Sequence, residues 1–235
     1  MRRRLREWDW QWVNLSKSKL KTVDLAGANL KGAILDAAFL DDVSLENASL
    51  IGASLERAYL VSARLNDADL AGANLDGATL THAQIRRANL YGARMRGAHL
   101  VRANLGNARL EKASLIRARL KGAFLYKVEL QAAHLEKADL RGANLQEANL
   151  AGAHLGGADL ENANLDRANL FMAQGLEPSQ LAQARVYRST VLQAALAQHT
   201  MVQDRIEECE AEDEAQEEAA IKAALEFEES PPTSG

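Results

Sequence analysis

The chain has 235 residues, 47% of them hydrophobic, and a formal net charge of −4. Its single cysteine, Cys209, excludes an internal disulfide and is typical of a reducing compartment. No apolar run approaches the roughly 20 residues of a membrane-spanning helix, and no apolar signal-peptide core follows the basic start MRRRLREWDW. We therefore expect a soluble, cytoplasmic protein without membrane contact.

Residues 1–12 precede the regular part of the chain and are predicted to form an N-terminal cap. Trp8, Trp10 and Trp12 alternate along this segment, so an extended backbone would place all three on one face. We expect that face to act as a lid over the first apolar layer, because the open end of a stack needs a cap. The alternative is an aromatic binding platform.

Residues 13–172 repeat with a period of five. Leu occupies every fifth position from Leu15 to Leu170, and only Ile85 and Met95 replace it. The residue two places earlier is Ala, with the exceptions Val13, Ser18, Val23, Val43 and Val128. These 32 tandem units contain no insertion or deletion, so the repeat determines the fold.

Neither regular secondary structure accommodates this period. In an α-helix every fifth residue advances by about 140°, so the leucines would spiral around all sides. In a continuous strand successive leucines would point to opposite faces, because five is odd. The pattern is satisfied if the chain turns a corner once per unit, with Leu and the Ala two before it pointing inward. Four units would close a square coil, although three units per coil would also repeat.

The outward position two residues after each Leu is the expected corner. Gly occupies it eleven times and Asn or Asp five times, and these residues tolerate the positive φ of some tight turns. Arg and Lys also occur there, so we expect the corners to differ in turn type. The interior is predicted to be a column of apolar side chains, represented by Leu70, Leu75, Leu80, Ile85, Leu90, Met95, Ala73 and Ala78.

Segments such as ADLAG, ANLDG, ADLRG and ANLQE resemble the A(D/N)LXX motif of the pentapeptide repeat family. The resemblance covers about residues 13–172 and implies an all-β solenoid, a right-handed quadrilateral β-helix of about eight coils. Some members of that family bind type II DNA topoisomerases and are thought to imitate a DNA duplex. The resemblance therefore makes gyrase a candidate partner, with toxin or quinolone resistance as the consequence.

The period stops near residue 172, and a helical cap is predicted to follow. Gly175 suits a turn, and Pro178 suits the first position of a short helix. Leu176 and Leu181 are expected to cover the last coil.

The rest of residues 173–229 is predicted to be an acidic helix. Apolar residues at helical spacing predict this helix over residues 191–227. The family resemblance implies that such a helix can join two subunits, so we expect a homodimer. Residues 230–235 are expected to be disordered.

Charge is segregated along the chain. Residues 13–172 carry 20 basic and 17 acidic side chains, whereas residues 173–235 carry 4 and 13. Eight acids lie within residues 36–76, the acidic band, and eleven bases within residues 86–127, the basic band. The basic band predicts a surface for an acidic protein or a nucleic-acid backbone, unless nearby acids neutralise it. Its candidate residues are Arg94, Arg96, Arg102, Arg117, Arg119 and Lys121.

A second candidate surface is apolar. Residues one coil apart are expected to stack, which places Phe39 beside Tyr59, with Ile34 and Val61 nearby. Exposed apolar patches often mark a partner-binding site. The alternative is a side-chain ladder that only stabilises the coil.

His134 and His154 are also expected to stack, and two imidazoles can share a metal ion. No third ligand is predicted beside them, because Asp139 and Asp159 lie around a corner. We therefore predict no metal site and no cofactor.

The sequence contains no recognisable catalytic motif, and the repeats leave no loop long enough to build a cleft. We predict that the protein is not an enzyme. The leading hypothesis is a scaffold that binds a protein partner through its faces. Gyrase binding and nucleic-acid binding through the basic band are the alternatives.

Overall fold

The repeats form a four-sided coil. The computed structural model describes residues 8–229, with side-chain environments through residue 220. The predicted cap residues 1–7 and the predicted disordered residues 230–235 lie outside this range. Parallel β-bridges join residues 20 apart, from the pair Asp9–Asn29 to the pair His154–Gln174. A 20-residue coil with one corner per five-residue unit has four sides, which confirms the square coil.

Within residues 8–229 the coils pair through isolated bridges and not through strands. Each side has three residues between two-residue turns, and only the middle one forms a bridge. A side this short cannot extend a ladder along the chain. The predicted solenoid with a helical C-terminal extension is present, and its β structure consists of single-residue bridges in place of strands.

The backbone hydrogen bonds explain the five-residue motif, as the unit from Asp69 to Ala73 shows. The amides of Asp69, Leu70 and Gly72 donate to carbonyls of neighbouring coils at 2.9, 2.7 and 2.9 Å. The Ala73 amide donates to the Leu70 carbonyl at 3.0 Å and closes the corner. The remaining amide, that of Ala71, donates to the Asp69 carboxylate at 3.1 Å. Asp or Asn before Leu thus satisfies the one amide that the stack leaves open.

All corners share one backbone conformation. From Trp12 to Met172 every fifth residue has a φ between 52° and 71°. The expectation that the corners differ in turn type is wrong. Stacking fixes the conformation even for a charged residue, because the Arg87 amide must donate to the Gly106 carbonyl, at 3.1 Å. A non-glycine residue with such a φ costs about 1–2 kcal/mol, which the repeated inter-coil hydrogen bonds offset.

Leu and Ala of each unit fill the interior. The eight residues predicted for the core are at most 1% exposed. Each buried Leu contributes roughly 1.5–3 kcal/mol, so the column of leucines supplies most of the driving force for folding.

At the N-terminal end the coil begins earlier than the predicted boundary at residue 13. Trp10 occupies a Leu position and packs against the core, and Trp8 stacks on it with ring centroids 5.7 Å apart. Trp12 is already a corner residue, 69% exposed, and its ring covers Gly32. The expectation that all three tryptophans share one face is therefore wrong for Trp12.

At the C-terminal end the coil continues past residue 172 with a relaxed period. Asn164 pairs with Arg185 and Asn169 pairs with Val191, which are 21 and 22 residues apart. These longer sides accommodate α1, Pro178–Leu181, inside the last coil. Leu176 and Leu181 are both buried there.

Within residues 8–229, two further helices follow the coil, α2 at Ala194–Ala197 and α3 at Thr200–Glu229. They replace the single helix predicted over residues 191–227, because Val191 still belongs to the coil. Among the residues of α3 up to 220, Val202, Ile206 and Cys209 are buried.

Polar contacts also hold α3 on the end of the coil. The Arg205 side chain donates to the Ala184 carbonyl at 2.9 Å, and Arg188 pairs with Glu210 at 3.3 Å. Burial raises the pKa of the Cys209 thiol. Across the described part of the chain, none of the helices combines the length and apolar character needed to cross a bilayer.

Candidate protein-binding face

Outward residues form columns along the coil, because each pairs with the residue 20 positions later. We call one side the aromatic face; its column contains Phe39, Tyr59, Thr79, His99 and Arg119. The side before it, the histidine face, contains Ile34, Asn74, Arg94, Ser114, His134 and His154. The corner between them, the Arg117 corner, carries Arg96 and Arg117. The next corner, the Arg102 corner, carries Val61, Arg102 and Lys121.

The apolar candidates centre on the aromatic face. The rings of Phe39 and Tyr59 stack with centroids 5.1 Å apart and planes 4° apart. Tyr59 is 44% exposed and Ile34 is 38% exposed, whereas Phe39 and Val61 are half-buried. The register places Ile34 on the histidine face and Val61 on the Arg102 corner, so the patch extends over both edges of the aromatic face.

Five of the six basic candidates surround the same aromatic face. Within the residues whose side chains are described, all five are exposed and none forms a salt bridge: Arg96, Arg102, Arg117, Arg119 and Lys121. They lie on the aromatic face and on its two corners, two to three coils beyond Tyr59. This side of the molecule therefore presents a group of cations without salt bridges in line with an apolar surface.

The sixth candidate, Arg94, is neutralised. Its guanidinium contacts the Asp76 carboxylate at 2.5 Å. Other cations of the basic band are likewise paired, such as Arg87 with Asp67 at 2.6 Å. The hydrogen bond from Arg87 holds the pKa of Asp67 below its ordinary value. Salt bridges thus neutralise several cations of the basic band that lie away from the aromatic face. Counting charges along the sequence does not separate these paired cations from the unpaired ones.

Several carboxylates of the acidic band are used to close the coil. Asp36 accepts the Glu56 amide at 3.0 Å, and Asp76 accepts the Arg96 amide at 2.9 Å. Asp41 accepts the Val61 amide at 3.2 Å and also binds Lys21. These carboxylates satisfy outward amides of the following coil, so they carry a structural role in addition to their charge.

Residues 11–173 match the family model for Pentapeptide repeats, in eight copies over overlapping segments. The chain belongs to the pentapeptide repeat family. A comparison with curated proteins gives no match.

Several solved structures of pentapeptide repeat proteins are similar to this chain. HetL, involved in heterocyst differentiation regulation in the cyanobacterium Nostoc sp. strain PCC 7120, is 28% identical, with 81% of this chain and 94% of that chain covered and a TM-score of 0.50. Rfr23 from the cyanobacterium Cyanothece 51142 is 35% identical over 46% of this chain and 63% of its own, with a TM-score of 0.34. QnrB1, a plasmid-mediated fluoroquinolone resistance protein, is 18% identical. The match covers 87% of this chain and 95% of QnrB1, with a TM-score of 0.48.

The histidine face of this pentapeptide repeat protein contains a group that the sequence analysis missed. His134 and His154 stack as expected, with ring centroids 4.4 Å apart. The prediction that no third ligand lies beside them is wrong, because Glu136 approaches His134 at 3.1 Å. The signal was present in the sequence: residues on either side of a core Leu both point outward, so positions 134 and 136 are neighbours.

Proposed function

We propose that the protein is a non-enzymatic cytoplasmic scaffold that binds an acidic segment of a protein partner along the aromatic face and its two corners. The observation that carries this proposal is the set of five exposed, unpaired cations around that face. The cations would steer and orient an acidic partner, since complementary charge raises the association rate and suppresses wrong partners. The Phe39–Tyr59 stack and Ile34 would supply apolar contact at the other end of the same surface.

A protein partner fits this surface better than a single-stranded nucleic acid does. Single-strand binding requires aromatic side chains placed among the cations, so that successive bases can stack. The exposed aromatics of the basic band, Tyr91 and Phe124, lie on columns other than the aromatic face and its corners. Within residues 86–127, no exposed Phe, Tyr or Trp side chain therefore lies among the cations around the aromatic face.

The test is quantitative affinity capture from the source cell with matched charge reversals. Arg117→Glu/Arg119→Glu changes the aromatic face, and Arg86→Glu/Lys112→Glu makes the same charge change in the same band on the other side. We expect the first variant to lose the captured partner at least about tenfold and the control to retain it. Equal capture by both variants would contradict the proposal, as would a loss confined to the control.

Gyrase binding, which the family resemblance implies, is the second candidate. The rod shape and the acidic band support it, although Asp36, Asp41 and Asp76 are engaged with backbone amides. A supercoiling assay with and without a quinolone separates the two candidates. Inhibition of supercoiling, or rescue from the drug, at stoichiometric protein would favour gyrase, and no effect would favour another partner.

Homodimerisation through the C-terminal helix also belongs to this proposal. The apolar residues Val202 and Ile206 pack against the chain's own coil, so a second copy would contact the part of α3 beyond them. Residues 211–220 are exposed and include five acids, Glu212, Asp213, Glu214, Glu217 and Glu218. Light scattering over a range of protein concentrations tests the dimer, and a monomer mass throughout would contradict it.

A further inference from the structure

The most unusual cluster apart from the five unpaired cations is on the histidine face and at the Arg117 corner. One donor atom from each of His134, Glu136 and His154 can be chosen so that all three lie within 4.8 Å of one another. Each side chain is half-buried. Two imidazoles and one carboxylate form a recurrent protein ligand set for Zn²⁺.

The coil holds these three donors in place. His134 and His154 are bridge partners, and the Leu135 amide donates to the His154 carbonyl at 2.8 Å. Their rings are nearly parallel, with an interplanar angle of 13° and centroids 4.4 Å apart. A Zn²⁺ ion lies in the plane of each imidazole that binds it, and two nitrogens on one tetrahedral ion are about 3.4 Å apart. Both rings must therefore rotate out of the parallel stack to bind one ion, which their outward position on adjacent coils permits.

The carboxylate of Glu136 is only partly used by the protein. One oxygen contacts His134 Nδ1 at 3.1 Å, and the other is buried without a hydrogen-bond partner among the described residues. A carboxylate oxygen without a hydrogen-bond partner has a free lone pair that a cation can occupy.

We propose that His134, His154 and Glu136 bind a single Zn²⁺ ion that links two successive coils. The mixed nitrogen and oxygen donors favour Zn²⁺ over Mg²⁺ or Ca²⁺, which prefer oxygen alone. Arg117 and Lys137 line the groove beside Glu136 and disfavour cations bound by charge alone. With three protein ligands, the fourth position of the tetrahedron is open to water. The site does not depend on the proposed protein-binding face.

Calorimetry on the untagged, metal-stripped full chain tests the proposal, with Zn²⁺ as the titrant. We expect one ion per chain, and an affinity at least about tenfold weaker after His154→Gln or Glu136→Gln. Co²⁺ in place of Zn²⁺ should give the visible absorption of a tetrahedral complex, which both variants lose. The three side chains point outward from an intact core, so circular dichroism should show the coil retained in each variant.

His99→Gln is the matched control, because His99 is half-buried on the neighbouring face and belongs to no such cluster among the described residues. This variant should bind Zn²⁺ as the wild type does. Absence of binding to the wild type at millimolar Zn²⁺ would overturn the proposal. Equal affinities of wild type and His154→Gln would also overturn it, because the ion would then lie elsewhere.

Discussion

The coil and its C-terminal closure must both pair the backbone hydrogen-bonding groups of a chain that turns back on itself. They do so in different ways. In the coil every unit repeats one set of backbone hydrogen bonds and one pair of inward side chains, so the outward side chains are free to vary. In the closure the period relaxes, and side chains such as Arg205 and Gln180 bond the carbonyls that the coil leaves exposed. Specificity for a partner can therefore evolve on the coil surface, whereas the closure is committed to stability.

The largest effect is expected from the middle of the coil. Leu100→Ala removes a fully buried side chain between two leucine layers and should lower the free energy of unfolding by about 3 kcal/mol. Urea denaturation followed by circular dichroism measures it. A change below about 1 kcal/mol would mean that the column is loosely packed and that the coil does not draw its stability from its leucines.

The closure should protect Cys209. The thiol is buried and its pKa is raised by that burial, so less thiolate is available at a given pH. We expect alkylation in the folded protein to be about a hundred times slower than in urea. Ile206 lies one helical turn before Cys209 on α3. Ile206→Ala should therefore accelerate alkylation of the folded protein without changing the alkylation rate in urea. Labelling at equal rates in the native and unfolded chains would show that α3 does not cover the coil.

Two glycines separate backbone strain from steric strain. Gly142 has a φ of 61°, and an added Cβ would meet nothing within 4 Å, so Gly142→Ala should cost about 1 kcal/mol. Gly175 has a similar φ of 67°, but an added Cβ would lie 2.9 Å from Gly156 Cα. Gly175→Ala should therefore cost at least about 2 kcal/mol. Thermal unfolding compares the two variants. Equal shifts in melting temperature would contradict the claim that the closure packs tightly around Gly175.

The smallest effect is expected on the coil exterior. Arg119→Glu changes an exposed, unpaired side chain and should alter the free energy of unfolding by less than about 0.5 kcal/mol. The same substitution is expected to weaken partner capture. A large loss of stability would mean that Arg119 has a structural role and is not free for binding.

The sequence predicts the coil well because its information is periodic. The inward Leu and Ala follow from spacing alone. The 20-residue register follows from spacing together with the family resemblance, and the stacks of Phe39 on Tyr59 and His134 on His154 follow from that register. The uniform corners were not predicted, because a non-glycine residue such as Arg87 rarely adopts a positive φ. The stacked coils impose that φ on it. The residues that follow 172 were misjudged for a related reason: pairing continues to Val191 through sides of unequal length, which no period reveals.

The candidate sites were predictable in position but not in pairing. Columns place Arg94 with the other cations, and only the side-chain conformation shows that Asp76 neutralises it. Glu136 was missed because the carboxylates considered, Asp139 and Asp159, lie around a corner, whereas Glu136 is on the other side of Leu135.

The most direct test of the central claim compares two opposite sides of the same coils by site-specific photo-crosslinking in the source cell. A benzophenone side chain is placed at His99, on the aromatic face between Tyr59 and Arg119, or at Arg109, on the opposite side. The proposal predicts crosslinks to a protein partner from position 99 and none from position 109. Crosslinks from position 109 alone, or equally from both, would contradict a binding surface on the aromatic face.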